Sequence, residues 1–456
     1  MKDIYLVNYS VNGIKTIDKT VSLSFYKKTF QKNIDTQGYN IKGIYGMNGS
    51  GKTAIISSID ILKNLLGNTD YLSNPIVQRH LDATVNKHTE KLTIEADFLI
   101  NIKAPLTLFR YIVSLSKNPN GKYTISCEQL FAKKAASKAD DFENIFTVED
   151  GVLTFITKRS GSAFVHLLVE KSLNLLSSST IASLFVEKIF NTIDTFEDKY
   201  DNPLFWSLCS LFLLGRKIHV YLDQSDDHRD YLLRSSFENF GTTENHKFDE
   251  LMDKMLDMDV ENLDTIEIYN NYVYKTDFDL FSKTVYNLLE FLRIFKSDLQ
   301  DIEIEKKEHK DFLICNLIMV YDAYKIHAEF ESTGIKKLIK LYAYLNEMAQ
   351  GGIVFIDEFD SNLHDVYLCA LLEYLMEYGE GQLCFTTHNV GPMDVLRKNK
   401  KSIDFLSVDH KIYPWTSNGN YSPSKLYRNG MIEGSPFNVD AIDFIKAFHV
   451  DEEDDA

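Results

Sequence analysis

The sequence predicts an α/β fold in which a parallel sheet carries an antiparallel β-lobe and a helical insertion. Three observations lead there. Ile353–Ile356, Val366–Tyr378 and Gln382–Thr386 alternate as strand, helix and strand, the order that builds a parallel sheet with crossover helices. A short apolar strand, Ile41–Tyr45, runs through a glycine-rich turn into an amphipathic helix. Much of the first third alternates apolar and polar residues at the period of a half-buried strand.

The elements follow in order. Ile4–Ile14 and Thr20–Tyr26 alternate like the arms of a hairpin. After Ile41–Tyr45, the residues Ile55, Ile59, Leu62 and Leu66 recur at helical spacing, and Gly67 has the character of the residue that ends a helix. Strands are predicted at Leu92–Ile100, Phe109–Ser116 and Lys122–Cys127, with Pro119-Asn120-Gly121 as a turn, and these form a lobe inserted after the first helix. From about Phe164 to Leu299 the periodicity is helical, with Val285, Leu288, Leu292 and Phe295 on one face and a polar loop at Gln224–Asp230. No internal repeat or sustained heptad pattern is present in the sequence. Strand character returns over Ile302–Phe330, a helix follows over Thr333–Met348, and Asp451–Asp455 is an acidic tail. The predicted division is a lobe over 1–150 with the glycine-rich turn and the β-lobe, a helical insertion over 151–300, a second lobe over 301–450, and the tail over 451–456.

The chain has 456 residues, 44% of them hydrophobic and 25% charged, which excludes a disordered or fibrous class. With 66 acidic and 49 basic side chains its formal charge is −17, against a protein that coats nucleic acid by mass action, although a local basic groove stays open. The longest apolar candidate for a membrane span, Leu204 to Val220, is broken by Ser207, Ser210, Arg216, Lys217 and His219. Met1–Asn8 lacks the apolar core of a signal peptide. The five cysteines are scattered, as in a cytoplasmic protein with reduced thiols.

Two motifs carry the chemistry. Gly46-Met47-Asn48-Gly49-Ser50-Gly51-Lys52-Thr53 fits GxxxxGK[ST] between a strand and a helix. Its glycines let backbone N–H groups turn toward phosphate oxygens, Lys52 reaches the outer phosphates, and the Thr53 hydroxyl can ligate Mg²⁺. Ile353-Val354-Phe355-Ile356-Asp357-Glu358 is a buried strand ending in carboxylates, with Asp357 suited to the metal and Glu358 to polarising an attacking water. Two further features follow from order and spacing. Phe385-Thr386-Thr387-His388-Asn389 offers His388 to a γ-phosphate, and Glu331-Ser332-Thr333-Gly334 opens a helix whose N-terminus can clamp a phosphate held on another subunit. Taken alone, Ser332 reads better as an ordinary N-cap, and order and spacing favour the clamp.

With these motifs and the segment Asp360-Ser361-Asn362-Leu363-His364, the chain resembles a P-loop ABC-type ATPase head of the SMC/Rad50/OLD kind, and most closely the AAA15-type group. The resemblance covers roughly 1–130 and 300–410. It implies ATP and Mg²⁺ as ligands. Lys52 and Thr53 take the phosphate and metal roles, with Gly46, Asn48, Gly49, Ser50 and Gly51 as the rest of the phosphate loop. Asp357 takes the Walker B role, Glu358 is the catalytic base and His388 the switch histidine. Ser332 and Gly334 become signature contacts made in trans, and Asp360 opens the D-loop that crosses to the partner subunit. The signature reads ESTG rather than LSGGQ, which argues against a transporter subunit. No glutamine lies between Gln129 and Gln224, where the Q-loop is expected. OLD proteins carry a C-terminal nuclease, but only 68 residues (456 − 388) follow His388 here, without a DxD pair on a strand. The chain therefore looks like the ATPase of a two-gene anti-phage system, PARIS-like first, with Septu-type and AbiL-type systems as rivals.

The implied function is a sensor or scaffold. Its heads form a homo-oligomer, a dimer or higher ring, by sandwiching ATP, and control a separate effector, a nuclease or toxin. The alternative is an SMC/Rad50-like repair ATPase that binds DNA, for which Arg397, Lys398, Lys400 and Lys401, with Lys336, Lys337 and Lys340, are the basic candidates. DNA is the less favoured partner, and no membrane is expected.

Overall fold

The computed structural model describes residues 4–27, 30, 34–101, 106–137, 142–157, 179–181, 203–222, 265–310, 312–416 and 421–435. Its centre is a six-stranded sheet ordered β17-β16-β3-β15-β14-β9. These strands are β3 (Ile41–Tyr45), β9 (Ile218–Tyr221), β14 (Ile353–Ile356), β15 (Gln382–Thr386), β16 (Ile403–Leu406) and β17 (Ile412–Pro414). All neighbours run parallel except β17, which returns antiparallel to β16. The strands from β16 to β9 are buried along their whole length, which is why they read as continuous apolar runs. Lys42 breaks the run in β3. Its ammonium meets Asp404 of β16 at 2.7 Å, with both side chains at most 3% exposed, so the buried charge is paired by its neighbour strand.

Helix α1 (Lys52–Gly67) leaves β3 through the glycine-rich turn and packs against α3 (Pro203–Lys217), which leads directly into β9. The sequence places a helix-ending conformation at Gly67, but that residue is still helical and Asn68 is the cap. The last carbonyls of α1 are satisfied from elsewhere. Ser179 Oγ donates to Leu65 O and Asn68 O at 3.0 and 2.7 Å, and Thr180 Oγ1 donates to Leu65 O at 2.8 Å, so no left-handed residue is needed there.

The antiparallel sheet has seven strands, ordered β2-β1-β4-β5-β6-β7-β8. It joins β1 (Ile4–Asn12), β2 (Val21–Ser24), β4 (Lys91–Ile100), β5 (Thr107–Lys117), β6 (Tyr123–Lys134), β7 (Glu143–Glu149) and β8 (Val152–Ile156). The lobe is therefore no simple insertion after α1. The N-terminal hairpin is part of it, because β1 pairs with β4 from Ile4–Ile100 to Asn12–Thr93. Helix α2 (Pro75–Thr84), β7 and β8 are additions to the elements predicted. The lobe is stitched to the central sheet where β1 bulges. Gln382 of β15 accepts from Leu6 N at 2.7 Å and donates to Leu6 O at 3.0 Å.

A third sheet, β10 (Asn271–Tyr274), β12 (Phe312–Tyr321) and β11 (Leu299–His309), with β13 (Lys325–His327) beside β12, packs on α4 (Phe278–Phe295) and α5 (Thr333–Gln350). The face of α4 is the predicted one, with Val285, Leu288 and Leu292 buried. Residues 151–300 are not helical throughout: β8, β9 and β10 fall inside that range, and β9 belongs to the central sheet. Residues 158–178, 182–202 and 223–264, which include the polar loop at 224–230, and the acidic tail lie outside the described residues. Helices α6 (Asp365–Tyr378), α7 (Gly391–Leu396) and α8 (Pro423–Arg428) complete the second lobe. Among the described residues no helix is long and apolar enough to cross a membrane.

Candidate functional site

The site forms at the C-terminal ends of β3, β14 and β15. Gly46 follows β3 so closely against β16 that a Cβ there would lie 2.4 Å from the carbonyl oxygen of Leu406, which only glycine avoids. Gly51, with φ at 102°, turns the chain into α1 as its N-cap. The helix thus opens with unpaired N–H groups directed at the turn, the arrangement that binds phosphate. The Asn48 and Gly49 tip is exposed, whereas Ser50 is buried with its hydroxyl unpartnered. Thr53 lies in the first turn of α1, half-buried.

Lys52 is buried and folds back over the turn, donating to Gly46 O at 2.8 Å and Met47 O at 3.1 Å. Desolvation lowers the pKa of its ammonium, opposed by the carboxylates of Asp357, Glu358 and Asp360. The imidazole of His388 is lowered too, by partial desolvation and then by Lys52, against the same three carboxylates. One lysine, one histidine and three carboxylates predicted from distant parts of the sequence therefore share one electrostatic environment.

Thr386 sets the carboxylates in place. It is fully buried in β15; its hydroxyl donates to Asp357 Oδ1 at 2.5 Å and accepts from Glu358 N at 2.8 Å. Asp357 is consequently 5% exposed and fixed at the end of β14. Glu358 sits in left-handed backbone with φ at 48°, a strained conformation for glutamate, and its side chain is exposed. The turn reverses direction there, taking the carboxylate off the strand line and toward the solvent side of the site.

Ser332 and Gly334 have a different setting. Ser332 caps α5, its Oγ accepting from Ile335 N at 3.3 Å, and both Ser332 and Thr333 are exposed. Gly334 packs against the D-loop segment, where a Cβ would meet Asn362 O at 2.8 Å. Thr333 Oγ1 donates to Asn362 Oδ1 at 3.4 Å. Within one chain the signature turn thus touches Asn362, two residues past Asp360, and faces outward.

Sequence reasoning missed two residues here and misjudged a third region. Lys337, grouped with surface lysines, is 4% exposed and donates to Glu358 O at 2.5 Å and to the Ser361 hydroxyl. The signal was its place on the apolar stripe with Leu341, Leu345 and Met348. Thr386 carried no signal beyond its motif. Four of the other six basic candidates are engaged within the chain: Lys398 pairs with Glu373 at 2.6 Å, Lys401 donates to Ser24 Oγ at 2.7 Å, Lys400 lies over the Tyr39 ring and Lys336 donates to Glu329 O, whereas Arg397 is exposed. The strand beside β14 is β9, with Tyr221 level with Ile356 and Asp357 N donating to Tyr221 O at 2.9 Å. Gln224 follows Tyr221 by three residues in sequence and lies outside the described residues.

Residues 13–391 match the AAA_15 family, described as an AAA ATPase domain. The chain is 22% identical over 443 residues to the retron Vc95 probable ATPase of Vibrio cholerae serotype O1 biovar El Tor, covering 91% of this chain and 79% of that one. It is also similar to structures of the recombination mediator protein RecF with ATPrS or ATP, at 12% identity and TM-scores of 0.39 and 0.35, over 91% of this chain and 99% and 100% of those. A glycine-rich phosphate loop, paired strand-end carboxylates and a family match across most of the chain lead to one conclusion: the protein belongs to the AAA_15 family and is an ATP-binding ATPase with an α/β P-loop fold.

Proposed function

We propose that this ATPase is the sensor or scaffold of a two-part anti-phage system in the cytoplasm. Two copies close on ATP, and the closed assembly holds or releases a separate effector, a nuclease or toxin. The observation that carries the oligomeric reading is the outward-facing signature turn. Ser332 and Thr333 are exposed and Gly334 is backed by Asn362; Ser332 N donates to Glu331 Oε2 and Ile335 N to Ser332 Oγ, so the N–H groups of Thr333 and Gly334 are those offered to a phosphate outside the chain. The retron relative supports the defence setting. A PARIS-like system is a narrower form of the same proposal.

In this reading Gly46, Asn48, Gly49, Ser50 and Gly51 wrap the phosphates and Lys52 leaves its carbonyl partners for the outer ones. The Thr53 hydroxyl and the Asp357 carboxylate are hard oxygen donors, the type Mg²⁺ takes, and Asp357 is already held by Thr386. When bound, the ion neutralises charge on the phosphates. Glu358 accepts a proton from the attacking water. His388, kept neutral by desolvation and Lys52, has one nitrogen free to donate and one to accept beside the γ-phosphate. Asp360 crosses toward the partner chain.

Glu358→Gln tests the reading. The variant should bind ATP, hydrolyse it at least 100-fold more slowly (about the size of losing a general base) and accumulate as a dimer or larger ring in size-exclusion chromatography. Wild-type turnover would remove Glu358 from the role of base, and a monomer in saturating ATP would remove the sandwich.

A further inference from the structure

The phosphate loop is walled on one side by residues that belong to none of its motifs. A Cβ at Gly51 would lie 3.1 and 3.2 Å from Cγ1 and Cδ1 of Ile17, and 3.7 Å from Cδ2 of His410. Ile17 lies in the β1–β2 connection and is fully buried. His410 lies in the turn between β16 and β17, with its side chain 13% exposed. Its Nδ1 is 3.7 Å from Asp18 Oδ1, beyond hydrogen-bond length, so no hydrogen bond to that carboxylate accounts for the ring's placement. The turn itself is well braced. Ser407 N donates to Lys411 O and His410 N to Ser407 O, both at 3.0 Å, and Ser407 Oγ accepts from Lys411 N at 3.2 Å. His410 has left-handed backbone with φ at 60°, which histidine tolerates but glycine would adopt at lower cost. Val408 in the same turn is exposed, an apolar side chain that the core leaves uncovered.

The place of the turn in the sheet says which end of a nucleotide it meets. Strand β3 lies between β15 and β16. The groups suited to the outer phosphate and the metal, His388 and Asp357, follow β15 and β14, on one side of the phosphate loop. The His410 turn follows β16, on the other side. A nucleoside triphosphate with its outer phosphate toward the carboxylates therefore carries its base toward Gly51 and this turn. We propose that His410 is the base-contacting residue of the nucleotide site: its imidazole packs against the base of the bound nucleoside triphosphate, while the phosphate loop holds the other end. A flat ring suits the task because every base offers a π-face to stack on. The inference rests on nucleotide binding at the phosphate loop.

His410→Gly is the test, since it removes the ring and suits the left-handed turn. In isothermal titration calorimetry the β,γ-imido analogue of ATP should bind about tenfold more weakly, the scale of one lost stacking contact, whereas inorganic tripolyphosphate, which has no base, should bind within about twofold of wild type. His410→Phe keeps a flat ring and should retain most of the affinity for the analogue. Unaltered binding of the analogue by His410→Gly would overturn the proposal. Equal losses for the analogue and tripolyphosphate would assign His410 to support of the phosphate loop and overturn it as well. Lys52→Ala, measured alongside, should weaken both ligands. If it does while His410→Gly binds the analogue normally, this inference alone fails; if Lys52→Ala binds both ligands normally, nucleotide binding at the phosphate loop fails.

Discussion

The two halves of the candidate site are built in opposite ways. The half around Lys52 and Asp357 is interior: both side chains are buried, and Thr386 and the carbonyls of Gly46 and Met47 occupy their polar atoms. The half around Ser332 is surface, with an exposed turn supported from behind by Asn362 and Lys337. An interior half can bind its ligand with one chain, since its groups are already held at low entropic cost. A surface half spends nothing on burial and gains its contacts only when something docks. In the proposed function the first half binds nucleotide and the second mediates assembly, and variants can separate the two.

The largest effect is expected from the interior half. Lys52→Ala removes the ammonium that lies among Asp357, Glu358 and Asp360 and leaves those carboxylates to repel the incoming phosphates. ATP turnover should fall about 10²–10³-fold, the scale of losing one charged phosphate contact, with ATP-dependent assembly lost alongside. Thermal stability should change little, because a desolvated ammonium goes with its contacts. Undiminished assembly of Lys52→Ala in ATP would break the comparison at its stronger end.

The next effect lies at the far end of α1. Glu128 of β6 is fully buried, accepting from Tyr111 OH at 3.1 Å and from Ile181 N at 3.0 Å, and burial raises its pKa from 4.5 to about 7 in spite of both bonds. A carboxyl group raised on folding stabilises the protein most below its unfolded pKa, and that contribution is lost as pH rises through the folded value. Wild type should therefore lose on the order of 3 kcal/mol relative to Glu128→Gln between pH 4.5 and pH 8. Urea unfolding at several pH values measures it. A flat difference across that window would mean the carboxyl is solvated, and with it the junction of α1, β6 and residues 179–181.

Legibility in the sequence follows the same division between inside and outside. The strands β3, β14 and β15 have the predicted bounds because a strand buried on both faces must be a short unbroken apolar run, and Gly46 and Asp357 mark where the first two stop. The motif residues on their ends were legible for the same reason. Strand β9 was not. Helix α3 ends at Lys217 and β9 begins at Ile218 with no turn residue between them, so Leu204–Val220 reads as one apolar segment. The supports of the site were also invisible. Lys337 reaches Ser361 across 24 positions and Thr386 reaches Asp357 across 29, and Lys42 finds Asp404 across 362. Such pairs exist only once the sheet has brought their strands together, and no local spacing encodes them.

The smallest effect on a single chain, and the sharpest test of the surface half, comes from Ser332. Its hydroxyl makes one cap bond, a long one at 3.3 Å, so Ser332→Ala should cost only about 0.5–1 kcal/mol of stability. Ser332→Arg points a guanidinium into solvent, where it displaces nothing within its own chain. It should leave ATP-analogue binding to one chain unaltered and yet prevent ATP-dependent assembly, because the bulky side chain stands where the partner's phosphate would have to approach the start of α5. Analytical ultracentrifugation with ATP, on Ser332→Arg in the Glu358→Gln background, reads this directly. Loss of nucleotide binding together with assembly would make Ser332 part of its own chain's site and dissolve the distinction between the halves. Assembly lost with binding kept is the outcome only an outward-facing signature turn produces.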